Sequence, residues 1–327
     1  MRAIRQHQLT GPTGLQIDTL PEPTPGAGEL LIDVAAAAVN YPDVLLSYGK
    51  YQFRPPVPFI PGGELAGTVQ AVGPGVTTFA VGDRVASWMI HGAFAEQVVS
   101  PAVGTVKLPP AISFPVGAAT LVTYATTMHA LVDRAALKPG ETLLVLGAAG
   151  GVGLAAVQLG KALGARVIAA ASSEEKVTLC RQYGADAGIV YGQEDLKARV
   201  RELTGGEGAH IIYDPVGGAY AEPALRSIAW AGRYLVVGFA AGEIPKIPLN
   251  LTLLKGCQIV GVFWGSFAMR DPEANQAHAR RIFEMIAAGT LQPHIDVVLP
   301  FEQAADALQR LESRRAKGKV VLTPRAF

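Results

Sequence analysis

Residues 147–153 read Gly-Ala-Ala-Gly-Gly-Val-Gly, and these small side chains are suited to binding a phosphate. Ala148, Gly150 and Gly153 occupy the three small-residue positions of a G-x-G-x-x-G pattern, with alanine in place of the first glycine. Such residues let the backbone approach a pyrophosphate, whose charge is stabilised by the unpaired N–H groups and positive dipole end of the following helix. The predicted phosphate contacts are Ala149, Gly150, Gly151, Val152 and Gly153.

The elements around this turn have the order that a dinucleotide site requires. Residues 141–146 form a short apolar run typical of a buried parallel strand. Gly153 is expected to open a helix that ends near Leu163, and a second strand follows over 166–171. A glycine turn alone is weak evidence, because it can simply pack a helix on a strand. Within a βαβ unit it is strong evidence for cofactor binding.

The rest of the central segment, residues 122–262, continues the alternation of strand and helix. Four more apolar runs predict strands at 188–191, 210–214, 233–238 and 257–262, and the stretches between them predict helices at 174–183, 195–203 and 219–229. Six strands in this alternation describe an α/β domain, a Rossmann-type doubly wound parallel sheet.

The end of the second strand predicts which dinucleotide binds. Ala171 stands where an NAD-specific domain places an acidic residue, and Ser172, Ser173 and Lys176 follow. Serine hydroxyls and a lysine ammonium attract a 2′-phosphate, so the sequence favours NADPH. Glu174 and Glu175 beside Lys176 weaken this argument, and a solvated surface lysine is the alternative. Tyr191 ends the third strand and could lie near the same phosphate or be a buried strand tyrosine.

The flanking segments have a different organisation. Before residue 121, apolar runs at 30–39, 65–72 and 93–99 are separated by proline and glycine turns, with a short helix after Asn40 that a glycine ends. Such spacing predicts a mostly antiparallel, barrel-like domain. The tail predicts helices at 273–288 and 302–311 and a closing strand at 319–322.

Composition limits the function classes. The 327 residues carry a net charge of +1, which gives no electrostatic basis for binding nucleic acid or an anionic membrane surface. Cys180 and Cys257 are the two cysteines, which suits a reducing cytosol. No apolar run is long enough to cross a membrane and no signal-peptide pattern opens the sequence, so we expect a cytoplasmic protein.

Four motifs together carry a family resemblance over nearly the whole chain. They are Val-Asn-Tyr-Pro-Asp at 39–43, Pro-Gly-Gly-Glu at 61–64, the glycine turn, and Gly-Lys-Val-Val-Leu at 318–322. The chain resembles the quinone oxidoreductase branch of the medium-chain dehydrogenase/reductase superfamily, to which zeta-crystallin belongs. The resemblance implies a GroES-like domain formed by 1–121 and 263–327, and a homodimer in which the strand at 257–262 pairs with its twin.

Zinc alcohol dehydrogenases of the same superfamily provide a contrast. The resemblance matches their metal-binding cysteine, histidine and second cysteine to Asn40, Gly63 and approximately Val122, none of which supplies a zinc ligand. Glu64 is retained from the metal-binding pattern and is expected to hold a loop by hydrogen bonding. The six histidines are dispersed along the chain. No metal site is predicted.

The resemblance also implies further site residues. Asn40 is expected beside the nicotinamide, bound to the ribose or the substrate oxygen, with a helix cap as its structural alternative. Tyr51 matches a tyrosine proton donor of related enoyl thioester reductases, although Tyr41 and Tyr48 are neighbouring aromatic residues that could be confused with it. The remaining implied cofactor contacts are Thr126, Gly238, Phe239, Phe263, Trp264, Gly265 and Lys319.

A site without a metal needs a substrate that accepts hydride readily, since no Lewis acid is present to polarise the substrate. Quinones satisfy this requirement, because the arriving charge is delocalised onto oxygen. The first hypothesis is therefore an NADPH-dependent quinone reductase. The alternatives are an enoyl-CoA or other enone reductase, and a non-catalytic NADPH-binding protein.

Overall fold

The computed structural model describes residues 1–325, and the chain divides into two units. Unit 1 comprises Met1–Val122, Phe267–Gly289 and the chain from Pro293 onward, whereas unit 2 comprises Thr123–Ser266 and Thr290–Gln292. Unit 2 is therefore almost continuous in sequence, and unit 1 is assembled from segments on both sides of it.

Strands and helices cover most of the described chain. The strands are β1 (Arg2–Gln6), β2 (Leu15–Thr19), β3 (Glu29–Val39), β4 (Glu64–Val72), β5 (Arg84–Trp88), β6 (Gln97–Pro101), β7 (Thr105–Lys107), β8 (Thr142–Leu146), β9 (Arg166–Ala171), β10 (Ala187–Val190), β11 (Ala209–Asp214), β12 (Ile228–Val236), β13 (Gln258–Gly261), β14 (Ile295–Pro300) and β15 (Lys319–Thr323). The helices are α1 (Tyr41–Ser47), α2 (Phe114–Ala118), α3 (Thr126–Met128), α4 (Gly151–Ala162), α5 (Glu174–Gln182), α6 (Leu196–Leu203), α7 (Ala221–Arg226), α8 (Asn250–Lys255), α9 (Trp264–Arg270), α10 (Pro272–Ala287) and α11 (Ala304–Glu312).

Unit 2 contains a parallel sheet of six strands in the order β10-β9-β8-β11-β12-β13. All five residues of β8 are buried, as expected for a central strand covered on both faces. Helix α4 packs closely on this strand, because a Cβ on Gly160 would lie 2.5 Å from Leu143 Cδ2. The strand order is that of a Rossmann domain, which confirms the prediction and places the carboxyl ends of the strands along one edge.

Unit 1 contains a second, mostly antiparallel sheet. Its order is β14-β15-β3-β4-β5-β7, and β6 pairs with β3. The long strand β3 pairs with β4 through two register shifts, which bend the sheet as a barrel requires. The tail returns to this unit, since Val320 of β15 lies opposite Val39 of β3. Buried Ile32, Leu65 and Leu322 belong to one core cluster, so both ends of the described chain build the predicted GroES-like unit.

Three stretches differ from the sequence-based expectation. The strand expected at 93–99 begins only at Gln97, because the amides of Ala93 and Phe94 donate to carbonyls of the loop at 61–62. The helix expected at 219–229 ends at Arg226, because Ile228 already pairs with Ala209 in the sheet. Helices α8 and α9 were not predicted. Strands β10, β11, β12 and β13 agree with the predicted positions to within a few residues, apart from the earlier start of β12.

Among residues 1–325, no helix combines the length and apolar character needed to span a membrane.

Candidate active site

The glycine turn of unit 2 joins β8 to α4. Gly147 adopts a left-handed backbone with φ of +59°, and the helix begins at Gly151, two residues earlier than predicted. The first i to i−4 bond of α4 runs from Leu154 N to Gly150 O at 2.8 Å. The amides of Gly151, Val152 and Gly153 therefore lie in the open first turn, where helix amides have no intrahelical acceptor.

Close backbone contacts explain why small residues occupy this turn. A Cβ on Gly153 would lie 2.3 Å from Gly147 O and 2.7 Å from the carbonyl carbon of Ala148. Ala148 N in turn donates to Ala170 O at 3.0 Å, which ties the turn to β9. The turn brings all five predicted phosphate contacts together, and its open amides can donate hydrogen bonds to a pyrophosphate.

The predicted 2′-phosphate residues lie together at the end of β9. Lys176 Nζ donates to Ser172 Oγ at 3.3 Å, and Ser173 caps helix α5 by accepting from Lys176 N at 3.4 Å. Tyr191 is adjacent, because its amide donates to Ala171 O at 3.1 Å, and its ring packs 4.3 Å from that of Tyr220. Two hydroxyls and an ammonium thus occupy the place of the ribose-binding carboxylate of NAD-specific domains.

One acidic neighbour of this group is partly compensated. Glu174, whose charge argued against phosphate binding, forms an ion pair with Arg181 at 3.2 Å. Both side chains are more than half exposed, so the pair weakens the repulsion without abolishing it.

Asp214 shapes the loops that follow β11 and β12, and sequence reasoning missed it. Its carboxylate accepts from Val216 N at 2.7 Å and Gly217 N at 2.8 Å, and also from the Tyr234 hydroxyl. Burial raises the pKa of Asp214 above its usual range. The position of an acid at the end of a buried strand was the available signal.

The predicted contacts after β12 and β13 lie at the carboxyl edge of the sheet. Gly238 N donates to Asp214 O at 3.3 Å, and the Phe239 side chain is 37% exposed. Phe263 is exposed, whereas Trp264 is buried and begins α9, followed by Gly265. These residues follow adjacent strands, so their main-chain groups lie near the edge where ligands bind in such sheets.

Thr126 lies in α3, between two π-helical stretches, Leu121–Ala125 and His129–Arg134. It is half-buried, and its buried neighbour Thr127 hydrogen-bonds the Tyr213 hydroxyl at 3.0 Å and approaches Val152 O at 3.5 Å. Within unit 2, Thr127 therefore links this segment to the first turn of α4.

In unit 1, Asn40 and Asp43 fix the start of α1. Asn40 N donates to Asp43 Oδ2 at 2.7 Å, while Asp43 N donates to Asn40 O at 3.0 Å. The predicted helix cap is therefore present in the backbone of Asn40. Burial raises the pKa of Asp43 to about 7, an effect that its hydrogen bond from Asn40 opposes.

The Asn40 side chain is engaged in a buried polar cluster. Its Nδ2 donates to Glu64 Oε1 at 3.0 Å, and Val122 N donates to Glu64 Oε2 at 2.8 Å. Glu64 thus holds the segment at Val122 by a hydrogen bond, the role expected from the sequence.

The side chain of Lys319, which the resemblance implies as a cofactor contact, is bound within unit 1 instead. Its Nζ donates to Asn40 Oδ1 at 2.6 Å, Glu64 Oε1 at 2.7 Å and Val39 O at 3.1 Å. An ammonium has three hydrogens, so these acceptors use all of them. The Lys319 ammonium therefore has no N–H left for the implied contact, and no local pattern could indicate this because Glu64 lies 255 residues away in sequence.

Tyr51 follows α1 and is half-buried. Burial raises the pKa of its hydroxyl, and the nearby charge of Asp43 adds to this effect. The hydroxyl therefore stays protonated at neutral pH and can donate a hydrogen bond or a proton. Tyr48 differs, because its hydroxyl already donates to Glu312 at 2.8 Å.

Potential metal ligands are not grouped in the described part of the chain. Over residues 1–325, no three histidine, cysteine or acidic side chains lie close enough together to hold a metal ion.

Comparison with known proteins places this geometry in a family. Residues 26–110 match the alcohol dehydrogenase GroES-like domain, and residues 151–282 match the zinc-binding dehydrogenase domain. A quinone oxidoreductase-like protein 2 homolog from Nematostella vectensis is 38% identical over 98% of this chain and 88% of its own length.

Two solved structures are also similar. A mycobacterial protein complexed with NADPH is 36% identical with a TM-score of 0.93, over 99% of this chain and all of the other. Escherichia coli quinone oxidoreductase, also complexed with NADPH, is 30% identical with a TM-score of 0.90 over the same shares. The chain therefore belongs to the quinone oxidoreductase branch of the medium-chain dehydrogenase/reductase superfamily and is an oxidoreductase.

Proposed function

We propose that this chain binds NADPH and catalyses hydride transfer from it to a quinone. The observation that carries the proposal is the pairing of an open glycine turn with Ser172 and Lys176 at the end of the next strand. The turn fits a pyrophosphate, and the hydroxyl and ammonium fit a 2′-phosphate. The two similar structures that contain NADPH support the same cofactor.

The residues of the candidate site would have different roles in this reaction. The open amides of the glycine turn hold the pyrophosphate, and Lys176 with Ser172 selects the phosphorylated ribose. NADPH, when bound, supplies the hydride. Tyr51 donates a hydrogen bond to the substrate oxygen as negative charge develops there, because its hydroxyl is protonated and has no hydrogen-bond acceptor within the described chain. Asn40 positions the nicotinamide end of the cofactor.

An enone or enoyl-CoA reductase is the second candidate, and Tyr51 is the observation that favours it. An enolate must receive a proton on carbon or oxygen, so a protonated tyrosine would contribute more to that reaction than to quinone reduction. Lys50 and Arg54 are exposed near Tyr51 in sequence and could meet an anionic CoA.

NADPH oxidation should be followed at the cofactor absorbance with 1,4-benzoquinone, 9,10-phenanthrenequinone, crotonyl-CoA and a 2-alkenal as separate substrates. Quinone turnover at least tenfold faster than enone turnover is expected. The variant Tyr51→Phe should lower kcat, with Tyr48→Phe as the matched control because its hydroxyl is bound to Glu312. Faster crotonyl-CoA turnover would favour the second candidate. NADPH binding without turnover of any substrate would make the chain a non-catalytic binding protein.

We further propose a homodimer formed along β13. This strand lies at the edge of the unit 2 sheet, and one side of its backbone has no partner strand within the described chain. Large apolar side chains near it are exposed, including Trp230 (74%), Leu253 (80%) and Phe263 (58%). A second copy would cover them and pair the edge. Sedimentation analysis should give a dimer, and Leu253→Asp should shift it to monomer; a wild-type monomer at micromolar concentration would contradict the proposal.

The cytoplasmic location and independence from zinc are part of the same proposal. The location rests on the composition, and the independence from zinc rests on the residues at the candidate site. Zinc analysis of the purified enzyme would test the independence from zinc.

A further inference from the structure

The buried cluster of unit 1 occupies the positions that hold zinc in metal-dependent relatives. By the family resemblance, those positions are Asn40, Gly63 and approximately Val122. In this chain Asn40 Nδ2 and Val122 N instead donate to the two oxygens of Glu64, at 3.0 and 2.8 Å. Gly63 brings no side chain. Two of the three positions therefore bind one carboxylate, and none of them supplies a metal ligand.

A cation of the chain itself occupies this cluster. Lys319 Nζ lies 2.6 Å from Asn40 Oδ1 and 2.7 Å from Glu64 Oε1, and the Lys319 and Glu64 side chains are 5% and 1% exposed. A zinc ion would need the same oxygens, and it would be repelled by the ammonium. The donor set therefore does not fit zinc.

The same contacts fix the orientation of the Asn40 amide. Lysine only donates hydrogen bonds and a carboxylate only accepts them, so the amide oxygen must face Lys319 and the amide nitrogen must face Glu64. The second N–H points to Ala38 O at 3.3 Å. An amide oxygen accepts two hydrogen bonds, and Lys319 uses one. The Asp43 amide lies beside the Asn40 side chain in the capping box of α1, but it donates to the Asn40 backbone carbonyl at 3.0 Å rather than to Oδ1. Asn40 is thus left with the capacity to accept one further hydrogen bond and none to donate.

We propose that Lys319 is a positioning residue that supplies the charge carried by zinc in metal-dependent relatives and fixes Asn40 as a hydrogen-bond acceptor for the cofactor. A ribose hydroxyl can donate to Asn40, whereas a quinone oxygen only accepts and cannot. This inference rests on the proposed NADPH binding. It assigns Asn40 to the nicotinamide ribose and leaves the substrate oxygen to Tyr51.

The test uses the charge-neutral double variant Lys319→Met/Glu64→Gln. The single variant Lys319→Met would leave Glu64 buried without a partner and could fail to fold, so the double variant removes both charges. Lys107→Met is the control, because the Lys107 side chain is 60% exposed and forms an ion pair with Asp83 at 2.9 Å. Thermal unfolding verifies folding, and fluorescence titration measures the NADPH Kd.

The double variant should raise the Kd for NADPH about tenfold, the loss expected for one hydrogen bond, with little change in the KM for quinone. Adding Asn40→Ala to it should raise the Kd no further, since Lys319 acts through Asn40. Lys107→Met should bind like the wild type. The wild type should retain less than a tenth of an equivalent of zinc after dialysis.

Three results would overturn the inference. They are an unchanged Kd in the folded double variant, a further large rise on adding Asn40→Ala, or stoichiometric zinc in the wild type. A wild type that binds NADPH but reduces no quinone would refute the proposed reaction alone, because the binding comparison would still decide the role of Lys319. A wild type that does not bind NADPH would overturn both.

Discussion

Replacing Gly153 by alanine is expected to damage both the fold of unit 2 and its cofactor site. The added Cβ would lie 2.3 Å from Gly147 O and 2.7 Å from the carbonyl carbon and oxygen of Ala148. Ordinary contacts begin at 3.4 Å. The helix start and the turn must therefore separate by about 1 Å, and both contacting groups are backbone that cannot rotate away.

Such overpacking costs about 1–3 kcal/mol. At about 2–4 °C for each kcal/mol in a cooperative unit of roughly the size of unit 2, its thermal unfolding should occur about 2–12 °C lower. Moving the first turn of α4 would also misplace amides proposed to bind the pyrophosphate, and losing one charge-assisted hydrogen bond weakens binding about tenfold or more. Differential scanning calorimetry and NADPH fluorescence titration measure the two effects.

Gly150→Ala provides the matched comparison. Its φ of −79° suits alanine, and its Cβ would meet only Gly147 O at 3.4 Å. We expect unfolding within about 2 °C of the wild type, together with weaker NADPH binding because a methyl group is added where the phosphate approaches. If Gly153→Ala had the unfolding temperature and the NADPH Kd of the wild type, the close-packing argument would be refuted.

Further predictions concern charge. Lys176→Met should raise the Kd for NADPH about tenfold and leave that for NADH unchanged, with exposed Lys138→Met as control; equal losses for both nucleotides would contradict a 2′-phosphate contact. Arg233→Met should destabilise unit 2 more than Arg233→Met/Glu141→Gln does, because the single variant leaves the Glu141 carboxylate without its two Arg233 hydrogen bonds of 2.8 and 2.7 Å. Denaturant unfolding of both variants measures the difference in unfolding free energy. Burial raises the pKa of Asp43 from 3.8 to about 7, so the folded chain retains a proton there and the unfolding free energy should fall as pH rises across this interval. Asp43→Asn should remove this pH dependence of the unfolding free energy. A variant with the same pH profile as the wild type would refute the assignment to Asp43.

The sequence predicted the regular parts of the molecule well because their signals are local. The strand, glycine turn and helix around Gly153 lie within about 30 residues, and each element carries its own pattern. Ser172 and Lys176 were likewise identified as candidates by counting from the end of β9. The boundaries of β6 and α7 were wrong where contacts from elsewhere decided them.

The buried cluster could not be predicted in the same way. Lys319 and Glu64 are far apart in sequence, and a lysine near the end of a chain is usually solvated. Its contact with Asn40 depends on β15 pairing with β3, which no local pattern specifies. The family resemblance singled out Asn40, Glu64 and Lys319 individually. Only the folded chain shows that their side chains are hydrogen-bonded to one another.

The split construction of unit 1 has a consequence during translation. Residues Thr123–Ser266 emerge from the ribosome as one continuous segment, whereas the β15 side of β3 has no partner strand until the tail has been synthesised. Val39 and Lys319 are 280 residues apart, so at about 5–20 residues per second the wait lasts about 14–56 s. An unpaired strand edge is prone to intermolecular association. The four consecutive alanines at 35–38 of β3, weakly β-forming and small, would slow association of nascent chains in that interval.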